Sequence, residues 1–298
     1  MTHQAFRSLL FVPGDSERKL AKAESTSADA LVLDLEDAVE PSRLPQAREM
    51  VRQYMQARPE RRQALWVRIN PLDSGLALDD LAAIVRGAPD GILLPKVAGP
   101  AATVALAGYL DALEARDGVA CGSVGIIPVA TEVPDALFAL GGYKHSSPRL
   151  QGLTWGAEDL ASALGAATNR QEDGEYDFTY RLARSLCLLG AHAAGVRAID
   201  TICGNFRDDA GLRREAAQAR KAGFSGKIAI HPDQVAAINE AFTPDAAELE
   251  YARRIVQAFE QAPGTGTLQL DGEMLDRPHL KRAMQILAQA GSASGGPA

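Results

Sequence analysis

Cysteine is scarce in this 298-residue sequence, and long apolar runs are missing from it. The three cysteines, Cys121, Cys187 and Cys203, are widely separated and include no CxxC pair. They therefore indicate neither a disulfide framework nor a thiolate metal site, and we expect reduced thiols. No apolar stretch reaches the roughly 20 residues that a membrane-spanning helix requires, so we expect a water-soluble protein.

Clustered basic residues, nucleotide-binding glycine motifs and a secretory leader are also missing. The 31 basic and 38 acidic residues give a net charge of −7, and no basic run could follow a phosphate backbone, so nucleic acid is not an expected partner. Gly14, Gly156 and Gly226 form neither GxGxxG nor GxxxxGK[ST], which argues against dinucleotide cofactors. Residues 1–7 lack the basic start and long apolar segment of a secretory signal, which favours a cytoplasmic location.

What the sequence does contain is a repeated alternation of short apolar runs with helical segments. Continuous apolar runs such as 31–33 and 91–94 are typical of strands buried on both faces of a parallel sheet. Segments with helical spacing, such as 80–86 and 212–222, lie between the runs. Eight strands are predicted: Ser8–Pro13, Ala30–Asp34, Leu65–Asn70, Gly91–Val97, Gly125–Glu132, Leu150–Gly156, Arg197–Ile202 and Lys227–Pro232.

Eight βα repeats predict an α/β fold, a (β/α)8 TIM barrel over residues 1–242. An open doubly wound sheet has the same alternation, and periodicity alone does not separate the two. The length of the chain and the eight-fold repetition favour the barrel.

Residues 243–290 are expected to form C-terminal helices and a lid. Two helices broken near Thr243 and Pro244 precede a Gly-rich connector at 263–267. A turn-rich lead and an amphipathic helix, Leu280–Ala290, should follow. Residues 291–298 are of low complexity and are expected to be a disordered tail.

Two carboxylates follow adjacent predicted strands. In a parallel barrel, the residues after each strand meet at one rim, so Glu132 and Asp159 should lie close together. Neither has a His or Cys nearby in the sequence, and oxygen ligands of this kind suit Mg²⁺. The alternative is that Glu132 is a helix-start acid and Asp159 a helix N-cap, positions where carboxylates are favourable.

Arg68 lies in an otherwise apolar strand, where an unpaired guanidinium is costly to bury. Opposite Mg²⁺, it would hold an α-keto acid or stabilise an enolate oxygen. A structural ion pair with Glu36 or Asp37 is the alternative. These two carboxylates could orient metal-bound water or pair with Arg68 and Lys96, or they could form a solvated loop face.

Two further residues have more than one interpretation. Lys96 could form a Schiff base, but its acidic surroundings should keep it protonated and favour an ion pair. His231 could act as an acid or base, although a hydrogen-bonded structural role at a strand end is commoner for such a histidine.

The same residues resemble the citrate lyase beta-subunit-like branch of the HpcH/HpaI aldolase family, which includes malyl-CoA and citramalyl-CoA lyases. The similarity runs from Arg7 to about Pro278. Its motifs are DLEDAV at 34–39, VRINP at 67–71, LPK at 94–96, GAEDL at 156–160, AIDT at 198–201 and GFSGKIAIHP at 223–232.

The resemblance implies a (β/α)8 barrel that assembles as a homotrimer or hexamer. It also implies that Mg²⁺ is bound by Glu132 and Asp159, and that Arg68 contacts substrate together with Glu132. In this scheme Glu36 and Asp37 support the site from behind.

The resemblance further assigns contacts outside the rim. CoA contacts match Phe11, Arg18 and Lys22, and Arg18 replaces a lysine found in some members. Asp276 matches an aspartate that reaches a neighbouring subunit's site as an acid/base, in keeping with a closing lid.

The function implied is that of a Mg²⁺-dependent carbon–carbon lyase. It would cleave, or form by Claisen condensation, a 3-hydroxyacyl-CoA thioester such as malyl-, citramalyl- or citryl-CoA, with an acyl-CoA and an α-keto acid as the products. Arg68, Asp276, Glu36 and Asp37 form the expected catalytic set. The alternatives are condensation followed by thioester hydrolysis, as in malate synthase, a citrate lyase subunit acting on an acyl-carrier protein, and a non-catalytic acyl-CoA-binding protein.

Overall fold

Eight parallel strands dominate the computed structural model, which describes residues 6–293. Their side chains are apolar on both faces, the pattern of a sheet covered by helices outside and packed within. The strands are β1 (Ser8–Pro13), β2 (Ala30–Asp34), β3 (Ala64–Arg68), β4 (Gly91–Leu94), β5 (Gly125–Pro128), β6 (Gly152–Thr154), β7 (Arg197–Asp200) and β8 (Gly226–Ala229).

The strands pair in the order β5-β4-β3-β2-β1-β8-β7-β6, and further contacts join β5 to β6. The Ile126 N–H donates to the Arg149 carbonyl at 2.8 Å, and the Ala130 N–H donates to Thr154 at 2.8 Å. Isolated parallel bridges at Ile126 and Val129 lie along the same seam. The sheet therefore closes on itself, which confirms the TIM barrel and removes the open doubly wound alternative.

One or two helices follow each strand and cover the outside of the barrel. The two helices predicted on either side of Thr243 and Pro244 are both present. The helices are α1 (Glu17–Glu24), α2 (Leu44–Gln56), α3 (Ala77–Ile84), α4 (Pro100–Asp117), α5 (Pro134–Ala139), α6 (Ala157–Leu164), α7 (Phe178–Ala194), α8 (Asp209–Ala222), α9 (Gln234–Ala241), α10 (Ala246–Gln261) and α11 (Arg277–Ala293).

Alternate strand residues divide the core into two layers. The smaller layer fills the barrel interior with side chains such as Val32, Leu93 and Ile127, and Phe6 packs edge-on against Trp66 at 5.6 Å. The larger layer lies between the sheet and the helices. The interior is thus packed rather than hollow, as expected for an eight-stranded barrel, and leaves the rim as the place for a site.

The C-terminal part differs from the sequence expectation in one respect. The segment predicted as a turn-rich lead is a β-hairpin, formed by β9 (Thr267–Leu270) and β10 (Glu273–Asp276). Asp271 and Gly272 both have positive φ, at 53° and 87°. An Asp-Gly pair flanked by alternating apolar residues is a strong hairpin signal, and the prediction missed it.

The hairpin packs with α10 and α11 around a small apolar cluster that includes Ile255, Phe259 and Leu275. An Arg220–Glu248 ion pair of 2.9 Å joins α8 of the barrel to α10. Helix α11 runs through Ala293, and residues 294–298 of the predicted tail lie outside the described residues. Within 6–293, no helix combines the length and hydropathy that a bilayer span requires.

The barrel interior should tolerate no added volume at Gly91. A Cβ there would lie 2.2 Å from Cζ3 of Trp66, which is fully buried. We expect Gly91→Ala to destabilise the fold by about 1–3 kcal/mol, the usual cost of overpacking. Gly108→Ala, on an open face of α4 with no atom within 4 Å, should instead stabilise by about 0.5–1 kcal/mol. Urea unfolding of both variants measures this, and equal midpoints would contradict it.

Candidate active site

A cavity of about 340 Å³ opens at the carboxyl ends of the strands. Because all eight strands run in one direction, each delivers the residues that follow its last core position to this rim. Its lining combines charged and apolar residues. The charged residues include Asp34, Asp37, Arg68, Glu132, Glu158 and Asp159, and the apolar residues include Phe11, Leu93, Val129, Ile202, Ile228 and Ile230.

Arg68 is held mainly by Asp34. Its Nε and Nη2 each donate to one carboxylate oxygen of Asp34 at 2.7 Å, and Asp34 is 2% exposed. Its Nη1 lies 2.9 Å from Glu36 and 3.5 Å from Asp37, and its guanidinium lies 4.6 Å over the ring of Phe11. Burial alone would lower the pKa of Arg68, but the bonds and charge of Asp34 raise it above its ordinary value. Arg68 is therefore a fixed positive charge.

The ion pairs expected for Arg68 with Glu36 and Asp37 are present, but its principal partner was missed. Asp34 and Arg68 are the last residues of β2 and β3, and they are directly opposite each other in the register of these strands. Asp34 also accepts bonds from the N–H groups of Glu36, at 3.0 Å, and Ala38, at 3.2 Å. A carboxylate and a guanidinium that both end apolar strands are the signal that could have revealed this pair.

Lys96 links the carboxylates of the rim. Its ammonium donates to buried Glu36 and lies 3.3 Å from Asp37 and 3.4 Å from Asp159. Burial opposes the charge, but Glu36 and its neighbours raise the pKa of Lys96, so it stays protonated. The ion-pair interpretation of Lys96 agrees with this geometry, and a Schiff-base nucleophile does not. Burial raises the pKa of Glu36 to about 7, although the charges of Arg68 and Lys96 act to lower it.

Glu132 is a buried member of the charged lining. The backbone N–H of Lys96 donates to its Oε2 at 2.6 Å, and Lys96 adopts a left-handed φ of 52°. Gly156 lies against the other side, where a Cβ would meet Glu132 Cγ at 2.8 Å and Oε1 at 3.0 Å. Burial, and then the charge of Asp159, raise the pKa of Glu132 to about 8.

Asp159 lies in the first turn of α6 and is 32% exposed. The N-cap of α6 is Gly156, and the N-cap of α5 is Val133, so neither Asp159 nor Glu132 occupies a cap position. Asp159 is thus not a helix N-cap, but it is an acid of a first helical turn, and Glu132 directly precedes the N-cap of α5. Their carboxylates face one cavity and interact through their like charges.

The charge balance of the rim fits a divalent cation. Five carboxylates, those of Asp34, Glu36, Asp37, Glu132 and Asp159, surround the two cations Arg68 and Lys96. Within residues 6–293, no three His, Cys, Asp or Glu side chains converge as a ready metal cluster. Two oxygen ligands with the remaining positions open are typical of Mg²⁺, which retains several waters.

The other predicted residues are distributed around this site. Phe11 lines the cavity, whereas Arg18 and Lys22 are exposed one turn apart on α1, outside the lining. His231 is half-buried at the mouth, where its ring stacks on Phe206 at 4.7 Å and its Nδ1 accepts from the N–H of Asp233. This geometry agrees with a structural histidine.

Asp276 is absent from the lining of the cavity of its own chain. It ends β10 in the C-terminal hairpin, and its carboxylate is 37% exposed. A role in catalysis would therefore require it to approach the cavity of another copy.

Behind the cavity wall lies a buried network that the sequence did not reveal. The indole N–H of Trp155, a lining residue, donates to Asp200 at 2.8 Å. Asp200 also accepts from Arg184 at 2.9 Å and from the fully buried Lys227 at 3.1 Å. Burial alone would raise the pKa of Asp200, but Lys227 and Arg184 lower it. Asp200 and Lys227 are opposite each other in β7 and β8, so this signal also lies in strand register.

Fold and site together define a TIM barrel with an acidic rim suited to a hard cation. The family model of HpcH/HpaI aldolase/citrate lyase matches residues 7–232, and the chain belongs to this family.

Individual relatives cover nearly all of the chain. It is 36% identical to (3S)-malyl-CoA thioesterase from Cereibacter sphaeroides over 97% of both chains. It is 35% identical to citrate lyase subunit beta from Escherichia coli, over 95% of this chain and 93% of the relative. A crystal structure of CitE from Mycobacterium tuberculosis in complex with magnesium, acetoacetate and coenzyme A is similar, with a TM-score of 0.80 and 32% identity, over 98% of this chain and 100% of that one.

Because the pKa of Glu132 is raised, replacing this residue with a neutral one should change the stability of the fold in a pH-dependent way. Folding raises this pKa from 4.5 to about 8, so Glu132 binds its proton more tightly in the folded state. The contribution of Glu132 to the free energy of unfolding is favourable at low pH and is lost as the pH rises through about 8. In EDTA, Glu132→Gln should therefore increase the free energy of unfolding at pH 9 by about 1–3 kcal/mol and change it little at pH 5. Urea unfolding at both pH values measures this, and a pH-independent difference would contradict it.

Proposed function

We propose that this protein is a Mg²⁺-dependent carbon–carbon lyase that acts on a 3-hydroxyacyl-CoA thioester. The observation that carries the proposal is the meeting of Glu132, Asp159 and the fixed cation Arg68 around one cavity that also has apolar lining residues. Malyl-, citramalyl- and citryl-CoA are the substrates to consider, because the relatives are named for malyl-CoA and citrate.

Glu132 and Asp159 would hold the Mg²⁺. When bound, the ion supplies Lewis-acid polarisation of the substrate's carboxylate and hydroxyl oxygens. The bond from the Lys96 N–H fixes one oxygen of Glu132, and the close approach of Gly156 leaves this carboxylate little freedom to turn. The ligand is thus oriented before any substrate arrives.

Arg68 provides the positive charge that stabilises the thioester enolate. During cleavage the bond between C2 and C3 breaks and its electron pair remains on C2 and the thioester oxygen. The O–H bond of the hydroxyl breaks, its proton passes to solvent, and its electron pair forms the keto group. Because Asp34 holds two of its nitrogens, Arg68 needs no rearrangement to meet that charge. Glu36 and Asp37 hold Nη1 of Arg68 and the ammonium of Lys96 in place.

Asp276 of a second copy would then protonate C2 and release the acyl-CoA. This assignment makes the active unit a homo-oligomer, a trimer or hexamer, in which the C-terminal hairpin closes the cavity of a neighbour. Phe11, Arg18 and Lys22 would bind the CoA, with the two cations near its phosphates. The proposed enzyme would work in the cytoplasm, in keeping with its free cysteines.

Thioester hydrolysis is a second candidate, favoured by the name of the Cereibacter relative. In that case the product of cleavage or condensation would lose CoA to water. A screen of 3-hydroxyacyl-CoA esters with Mg²⁺, with α-keto acid and free CoA measured separately, decides between the two. Turnover only of carrier-protein esters would instead identify a citrate lyase subunit, and tight binding of the esters without turnover would identify a non-catalytic binding protein.

Removal of either proposed metal ligand should abolish the reaction. We expect Glu132→Ala and Asp159→Ala each to lower Mg²⁺-dependent α-keto acid release by more than about 100-fold, beyond the usual effect of losing an outer partner of a metal ligand. Asp135→Asn, an exposed change three residues after Glu132 and outside the cavity, serves as the control. Full turnover of the alanine variants in EDTA would rule out this function.

A further inference from the structure

Asp276 forms a close pair with a histidine of its own chain. Nδ1 of His279 lies 2.5 Å from Oδ1 of Asp276, and the backbone N–H of Asp276 points at the same nitrogen from 3.2 Å. Both side chains are about one-third exposed, His279 at 33% and Asp276 at 37%. The pair therefore lies at the surface, where another copy of the chain could reach it.

The position of His279 resembles that of a helix-capping residue. At the start of α10, Asp245 and Glu248 form a capping box, in which Glu248 accepts the Asp245 N–H and Asp245 accepts the Glu248 N–H. Asp276 and His279 occupy the corresponding positions at the start of α11. A glutamate would satisfy this cap equally well, so capping alone does not explain a histidine.

A histidine at position 279 can donate a hydrogen bond to the carboxylate of Asp276, and a capping glutamate cannot. Nδ1 can make only one of these two bonds: with a lone pair it accepts the Asp276 N–H, and with a proton it donates to Oδ1. At 2.5 Å from Oδ1 the protonated form avoids repulsion between two lone pairs, and in that form Nδ1 does not accept the Asp276 N–H. A glutamate has no proton to donate at neutral pH. The pKa of Asp276 is lowered, chiefly by the bond from the His279 side chain and further by backbone N–H groups at the same helix start, so the carboxylate is held in place.

We infer that His279 is a positioning residue for Asp276: its Nδ1–H holds Oδ1 and thereby presents Oδ2 for proton transfer to and from carbon. This inference rests on the proposed function, and it adds a residue to the acid/base part of that site.

The proton moves only between Asp276 and the carbon next to the thioester. In the condensation direction, Oδ2 accepts a proton from the carbon next to the thioester, the C–H bond breaks, and its electron pair becomes the enolate. In cleavage, the O–H bond of Asp276 breaks and the enolate carbon takes the proton. His279 keeps its own proton throughout and limits the rotation of the carboxylate, which is the geometric requirement for efficient transfer.

The structure suggests two variants that separate positioning from capping. His279→Glu supplies an acceptor for the Asp276 N–H, as Glu248 does for Asp245, but has no donor for Oδ1. His279→Asn retains a donor N–H as far from the backbone as Nδ1. His279→Leu is a second variant without a donor, in case the glutamate variant does not fold. Glu248→Ala removes the equivalent cap from α10, together with the ion pair to Arg220, and measures the effect of losing a cap away from Asp276.

The measurement is the Mg²⁺-dependent exchange of deuterium from solvent into acetyl-CoA or propionyl-CoA, on full-length protein. We expect His279→Glu and His279→Leu to slow exchange by about tenfold or more, the effect of losing one bond to a charged group. His279→Asn should remain within about threefold of wild type. The KM for the thioester, the Mg²⁺ requirement and the thermal midpoint should change little in all three, and Glu248→Ala should exchange normally.

Two results would overturn the inference. Normal exchange by His279→Glu would show that His279 only caps α11, and equal losses in His279→Asn and His279→Glu would show that donation to Asp276 is unimportant. Failure of the proposed function is distinct, because wild-type protein would then neither exchange deuterium nor cleave any ester. Wild-type exchange that is lost in Asp276→Asn but unaffected at His279 would reject this inference alone.

Discussion

The bidentate pair between Asp34 and Arg68 is the interaction on which the geometry of the site depends. It joins the ends of two neighbouring strands at the rim and places a permanent positive charge beside Phe11 and the cavity. A buried guanidinium is tolerated there because both of its donating edges meet carboxylates. If Asp34 were lost, Glu36 and Asp37 would be left to hold Arg68 without a matching fork of acceptors.

Lys96 extends this arrangement to the side of the cavity that carries Glu132 and Asp159. Its left-handed backbone turns one N–H onto Glu132, while its ammonium contacts Glu36 and Asp159. Strain at a non-glycine residue is typical of sites where the surrounding structure determines the conformation. The rim nevertheless has more negative than positive charge, and a divalent cation binds well under this condition. Without such a cation, a buried carboxylate keeps its proton.

The sequence predicted the barrel well and parts of the site less well. The bounds of β1 and β2 match their predictions, whereas β4 and β5 end at Leu94 and Pro128, before Lys96 and Glu132. The carboxylates, Arg68 and Lys96 were found because charge at the end of an apolar run stands out. The hairpin at 267–276 was not predicted, although an Asp-Gly turn beside alternating apolar residues is a hairpin signal. The composition of the segment was interpreted as turns alone.

The sequence by itself determined the alternation of eight strands and helices, and with it the rim at which the charged residues collect, because periodicity and burial are local properties of the chain. Only the tertiary structure decided which charges pair. Asp34 opposes Arg68 and Asp200 opposes Lys227 because of strand register, which depends on packing between segments distant in sequence. The contact between His279 and Asp276 likewise needed three-dimensional geometry, since spacing alone predicts only a helix start.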